Sequence, residues 1–382
     1  MSTPGGDHQV QTWLYGCLDD LRARQGSDLF LSADAPPAVK VNGKIVRLSD
    51  RPISGDNTLA IARAIMAPLQ FSHFQQTKES NFAIAPPDRP RFRVNAFMQL
   101  GQVGMVFRAI AANPPSLDGM GLPQALKTIA LQKRGLVILV GATGAGKTTT
   151  LAAMVDWINQ KTCGHIVTVE DPIEFLHPHK QCLVTQREIG IDTMDWSFAL
   201  KNALRQAPDV IVVGELRDRE STDQAVSFSE TGHLVLATMH ANNTNEALER
   251  IVSFFPENNR ARLYMNLSLN VHALISQRLV RKADGSGRVA AVEIMVNTPL
   301  IRGLIRKGDS PGIRIAMRSH QTDGIQTFQD ALFALHESHV IGLEEALRNA
   351  DSMNDLRLQI KLHSKHTGIN DLSAGTENLG IL

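Results

Sequence analysis

The segment Gly141-Ala142-Thr143-Gly144-Ala145-Gly146-Lys147-Thr148 fits the spacing G-x-x-x-x-G-K-[ST], and the chemistry of that spacing is phosphate binding. Its glycines let the backbone curl so that consecutive N–H groups face an anion. An apolar run enters the segment, and Thr149 to Asn159 reads as a helix beyond it, whose dipole favours negative charge at its start. Lys147 is placed to reach the β- and γ-phosphates of a nucleoside triphosphate, and the Thr148 hydroxyl to bind Mg²⁺. ATP, held by Gly141 through Thr149 and accompanied by Mg²⁺, is the expected substrate.

Hydrolysis needs acids and positive charge as well as a cradle. Apolar Val210 to Val213 leads to Gly214-Glu215, where P-loop enzymes carry the Walker B acid. The usual Asp is missing, so Glu215 is expected to meet the metal through water. Val169-Glu170-Asp171-Pro172-Ile173-Glu174-Phe175 sets three carboxylates at the C-terminal end of a strand, where parallel sheets bind ligands. One of them could deprotonate the attacking water; without the upstream P-loop the cluster would read as a solvated turn.

His233 and His240 bracket another apolar run. Seven residues apart, they fall on alternate faces of a strand, which argues against a shared metal. A structural role, γ-phosphate sensing and contact with a neighbouring subunit stay open for them. Arg91, Arg93 and Arg108 fall on two alternating segments nearer the N-terminus. Salt bridging is the ordinary use of such arginines, yet a departing γ-phosphate also needs cations, and another domain can supply them.

The elements that must position these groups follow from periodicity. With 382 residues the chain exceeds one ordinary core and suggests two domains. Residues 1–111 read as a small mixed domain. It has a helix over Val10–Arg24, a strand at Asp28–Leu31 and a hairpin over Val39–Leu48 turned by Asn42-Gly43. A helix from Asn57 to Met66 closed by Pro68 follows, then strands at Asn81–Ala85, Arg91–Gln99 and Val103–Ile110.

Residues 112–118, with Asn113-Pro114-Pro115-Ser116, read as a linker. Beyond it, over 119–370, the runs Gly135–Val140, His165–Glu170, Asp209–Val213 and His233–Thr238 are apolar on both faces. That pattern suits a parallel sheet covered by helices, an α/β core. Leu274–Val280 and Arg288–Val296 read as an edge hairpin, the chain from Pro299 on as mostly helical, and 371–382 as a flexible end.

Composition narrows the partners. Lys plus Arg (39) nearly balance Asp plus Glu (38), so no overall field favours nucleic acid or an anionic membrane. Cys17, Cys163 and Cys182 form no paired motif, which suits a reducing compartment. The sequence has neither a run long enough to cross a bilayer nor a signal-peptide layout. A cytoplasmic protein is expected, meeting membranes only through partners.

In order, these motifs resemble the type II/IV secretion ATPases: Walker A at Gly141–Thr148, V-E-D-P-I-E-F at Val169–Phe175, an atypical Walker B at Ala207–Asp218 and a His box at Thr231–Asn242. Gly26–Leu31, Pro36-Pro37 and Arg91–Phe97 resemble the PAS-like N-terminal domain of the pilus retraction branch. The further N-terminal domain and four-cysteine site usual in assembly ATPases are missing. Gln326–Leu332 and Asp351–Leu362 resemble the accessory, PilU-like members, and Pro299–Arg306 departs from the pattern of the primary retraction motors, which favours the same branch.

The resemblance implies a RecA-like core, Glu174 as general base and Glu215 as Walker B acid. It places His233 and His240 at the nucleotide and subunit interface, and makes Arg93 and Arg108 the arginine fingers of the N-terminal domain. It implies a homohexamer at the inner-membrane pilus machine, with the pilus platform protein and a PilT-type motor as partners. Other readings stay open: a primary retraction motor, an assembly or type II secretion ATPase, or a ring subunit that binds ATP without turning it over. A DNA translocator is disfavoured by the charge balance.

Overall fold

The computed structural model describes residues 7–41, 43–110, 113–319 and 324–364. Contacts divide the chain into two units: residues up to Asn113 together with Glu174–Leu176, and Pro114–Ile173 together with His177 onward.

The first unit runs α1 (Asp7–Ala23), β1 (Asp28–Ser32), β2 (Ala38–Val41), β3 (Lys44–Arg47), α2 (Gly55–Ile65), α3 (Pro68–Thr77), β4 (Glu79–Ile84), β5 (Phe92–Gln99) and β6 (Gln102–Ala109). Its strands form one antiparallel sheet in the order β3-β2-β1-β6-β5-β4. Alternation along β5 sends Phe92, Val94 and Ala96 into the core, where Leu14, Leu18 and Ile61 of the helices meet them. Arg93 and Asn95 stay on the other face. The helix ahead of Pro68 ends at Ile65, with Met66 and Ala67 extended, as the proline's position suggests, but Pro68 has a second role that its position does not show. It opens α3 at the first helical position, where its missing N–H costs nothing. Asn42, half of the expected hairpin turn, lies outside the described residues, and so do Ala111 and Ala112.

The second unit begins at Pro114 and already buries Leu117 in its core. It continues with α4 (Ala125–Ala130), β7 (Gly135–Val140), α5 (Lys147–Lys161), β8 (His165–Glu170), β9 (Leu183–Glu188), α6 (Trp196–Ala203), β10 (Val210–Val213) and α7 (Arg219–Glu230). Then come β11 (Leu234–Met239), α8 (Thr244–Ser253), α9 (Glu257–Asn270), β12 (Val271–Arg281), β13 (Arg288–Val296) and helices α10 to α14 (Pro299–Lys307, Ser310–Ser319, Phe328–Glu337, Leu343–Asn349, Met353–His363).

The seven-stranded sheet has the order β13-β12-β7-β11-β10-β8-β9, parallel except for the β12–β13 hairpin. Each central strand is buried on both faces. Leu136, Ile138, Val140, Ile211 and Val235 feed one core layer, and Val137, Leu139, Val212 and Leu236 the other. At about 1.5–3 kcal/mol for each such side chain buried, these layers make the sheet a rigid frame for whatever its C-terminal edge carries. A further small core joins α12, α13 and α14 to Val280 and Ala291 of the hairpin.

Strand β9 was not legible as a strand, because four of the six residues of Leu183–Glu188 are polar. It pairs parallel to β8 in register. Its N–H groups at Val184 and Glu188 are taken by His179 Nδ1 (3.1 Å) and Asp192 Oδ2 (2.9 Å). At the other edge, β13 is met by Gln326, which bridges Ile294 and donates its amide to the Val292 carbonyl. Residues 365–382, including the end expected to be flexible, lie outside the described residues. Among the described residues no helix is long and apolar enough to cross a membrane.

Candidate functional site

β7 ends at Val140 and α5 begins at Lys147, so the phosphate-loop residues sit at the C-terminal edge of the parallel sheet. Gly141, Gly144 and Gly146 have φ of 155°, 78° and 85°, in the region where a side chain is strained. Ala142, Thr143 and Gly144 form the exposed crest, Ala145 is buried, and Thr148 and Thr149 are half-buried in the first turn of α5. Lys147 is 8% exposed, and its Nζ donates to the carbonyls of Gly141 (2.8 Å) and Ala142 (3.1 Å). The ammonium thus lies folded over the loop that it would share with a phosphate.

Strand β11 lies between the P-loop strand and β10, so His240 leaves the sheet between the loop and Glu215. Glu215 follows Gly214, whose position is fixed on both sides. Its N–H donates to the Val169 carbonyl at 2.8 Å and its carbonyl accepts from the Thr238 hydroxyl. A Cβ at residue 214 would stand 3.2 Å from both the Glu170 Cα and the Val169 carbonyl oxygen, a tight fit that favours glycine. Both carboxylate oxygens of Glu215 are engaged: His240 Nε2 lies 3.1 Å from Oε1, and Arg217 Nε donates to Oε2 at 2.9 Å. Arg217 also reaches Asp171 at 3.4 Å. One cation therefore joins the acids at the ends of β8 and β10. Sequence reading missed Arg217; its signal was the i, i+2 spacing from Glu215, which puts both on one side of an extended chain.

The carboxylate cluster separates into distinct roles. Glu170 accepts from the Thr168 hydroxyl (2.7 Å) and the Gln186 amide (3.3 Å), which makes it a sheet-end staple. Asp171 holds Arg217. Glu174 is exposed, makes no hydrogen bond or ion pair among the described residues, and belongs with the first unit. In that unit Arg93 and Arg108 are register partners on β5 and β6, while Arg91 precedes β5.

The structure does not bring His233 to the site. It precedes β11 at the opposite end of the strand from His240, and seven residues of strand span about 20 Å. Its Nδ1 lies 3.0 Å from the Thr231 hydroxyl and 3.1 Å from the Phe228 carbonyl, closing the turn after α7. A strand passes both histidines on, but to opposite edges of the sheet.

The Thr148 hydroxyl and the Glu215 carboxylate are hard oxygen donors of the kind that suits Mg²⁺. Among the described residues no group of three or more His, Cys, Asp or Glu is placed to hold a metal ion.

A family model described as type II/IV secretion system protein matches residues 38–303. The type IV pilus ATPase PilU of Pseudomonas aeruginosa is 50% identical over 356 residues, 93% of each chain. The type IV pilus retraction ATPase PilT of the same organism is 41% identical over 329 residues, 86% of this chain and 95% of that one. A crystal structure of the pilus retraction motor PilT with bound ADP aligns with a TM-score of 0.83 at 36% identity, covering 88% of this chain and 97% of that one. The second unit is accordingly a RecA-like core, accompanied by an N-terminal domain of sheet and helices.

Proposed function

For a chain that belongs to the type II/IV secretion system ATPase family, we propose the role of a hexameric cytoplasmic motor subunit that couples ATP hydrolysis to pilus retraction and twitching. Within that role it acts as an accessory to a PilT-type motor, docked on the inner-membrane platform protein. The observation that carries the reading is the convergence of Glu215, His240 and Arg217 beside the phosphate loop, in a chain half identical to PilU along nearly its whole length.

In this mechanism the loop N–H groups and the α5 N-terminus receive the phosphates, and Lys147 exchanges the Gly141 and Ala142 carbonyls for phosphate oxygens. Mg²⁺, when bound, neutralises charge on the phosphates. Thr148 and Glu215 would hold it, Glu215 through water. Glu174 takes the proton of the attacking water, a role supported by its having no competing partner among the described residues. Arg93, with Arg108, answers the charge that develops on the departing phosphoryl group.

The deciding experiment uses a strain lacking this gene, complemented with wild-type or Lys147→Ala alleles, with and without a PilT-type motor. Hyperpiliated cells that twitch poorly, rescued by wild type only, support the reading. Bald cells would point to assembly, and full rescue by Lys147→Ala would mean that turnover is dispensable.

A further inference from the structure

We infer that Gln277, on β12, is a positioning residue that holds the phosphate loop in its binding shape from the neighbouring strand. The inference rests on the reading of Gly141–Thr148 as an ATP cradle. β12 runs parallel to β7 with Ser276 level with Val140. The next residue of each strand, Gln277 and Gly141, therefore lie together where β7 turns into the loop.

Gln277 is 3% exposed, and both ends of its carboxamide are in use. Nε2 donates to the Ala145 carbonyl at 2.8 Å, and Oε1 accepts from the Thr150 hydroxyl at 2.8 Å. One side chain thus ties the last bend of the loop to the first turn of α5. The same residue accounts for the glycines at either end of the loop. A Cβ on Gly141 would stand 2.6 Å from the Gln277 carbonyl oxygen, and one on Gly146 would stand 2.7 Å from Gln277 Nε2. The loop is shaped by its fit against β12 as well as by its own torsions.

The arm is also braced from behind. Arg278, on the alternate face of β12, donates to the Asn349 carbonyl (2.7 Å) and to Asp351 (2.6 Å), and stacks 4.0 Å over Phe328. A donor held on a strand that is itself anchored has little freedom to relax. Ala145 is buried, so its carbonyl has no solvent to replace a lost amide.

Gln277 acts through the loop, which meets ATP and ADP with the same N–H groups. Its loss therefore weakens both ligands alike and leaves the chemical step nearly untouched. The test uses the full chain with Gln277→Met, similar in length but without hydrogen-bonding groups, and Thr150→Val. Steady-state turnover is measured against ATP with Mg²⁺, binding with a fluorescent ADP analogue, and melting without nucleotide. Gln277→Met is expected to raise KM for ATP and Kd for the analogue about tenfold, with kcat within about threefold. Thr150→Val is expected to raise both about threefold, and the double variant to be no worse than Gln277→Met, because the two changes remove one shared bond.

A folded Gln277→Met protein with wild-type affinity overturns the inference, even if its melting temperature falls. Should Gln277→Met not fold, unchanged affinity in Thr150→Val overturns it instead. Wild-type protein that does not bind the analogue, or Lys147→Ala protein that binds it as well as wild type, overturns the cradle reading and the inference with it.

Discussion

Arg93 and Arg108 stand directly opposite each other on β5 and β6, and Arg108 is bound on its far side to Asp28, its register partner on β1, at 2.8 Å. Like charges placed so are unfavourable, and the Asp28 side chain, 5% exposed, offsets one of them. Arg93 makes no ion pair among the described residues, so the two arginines are not equivalent.

Replacing Arg93 with alanine should therefore lower kcat about a hundredfold or more and leave stability unchanged. Arg108→Ala should lower kcat too, and should in addition strand a buried carboxylate and cost about 1–2 kcal/mol, a low figure because Arg108 itself is largely exposed. Turnover and urea midpoints of both variants check this; equal kcat losses without any shift in midpoint would contradict the asymmetry.

Glu174 and Glu215 should also part company. Glu174→Gln should cut kcat by about 10²–10⁴ with KM and melting little changed, as removal of a general base does. Glu215→Gln should act on the metal, raising the Mg²⁺ concentration for half-maximal turnover by about tenfold. Mg²⁺ titrations of both proteins separate the roles, and identical Mg²⁺ curves would not.

His177 predicts an acid-labile loop. Burial pushes its imidazole down to about 4, opposed by nearby Asp156 and assisted by Lys180. Its Nδ1 finds no partner among the described residues. The unfolded chain takes up a proton near pH 6.5 that the folded chain resists, so stability is full above that pH and falls as pH drops toward 4. The loss should approach roughly 3 kcal/mol. His177→Gln should flatten this slope in denaturant titrations at pH 4.5 and 7.

Glu293 predicts the opposite sign. Burial pushes its carboxyl above the ordinary range, against two hydrogen bonds from Thr244, both 2.8 Å, while Asp351 raises it further. A raised folded value means that stability is complete at low pH and declines as pH rises through it. Glu293→Gln keeps an acceptor for Thr244 without the charge. Its melting temperature should gain on wild type from pH 5 to pH 8, and a constant difference would remove the assignment.

The strands β7, β8, β10 and β11 were legible because each is a short apolar run ending in a turn, and the phosphate loop because glycine and lysine spacing has few other uses. Strand β9 was hidden by the polar run Thr185–Glu188, and α3 by a proline that starts a helix as readily as it stops one. Within the site, residue types were readable and pairings were not. His233 and His240 look alike along the chain, but the direction of β11 sends them to opposite ends of the sheet. Arg217 and Gln277 were overlooked for related reasons. The first lies just past an apolar run, and the second is a polar residue inside one, which is itself a sign of a buried hydrogen-bonding task.

Both margins of the large sheet are occupied, β9 by His179 and Asp192 and β13 by Gln326. An unoccupied margin would invite a stray strand from another molecule to dock and grow a fibre. Here the main chain offers no such template at those positions. In the ring proposed above, contact between copies would then rest on side-chain shape and charge, which can be made and broken each cycle, and not on splicing sheets, which would lock the subunits in place.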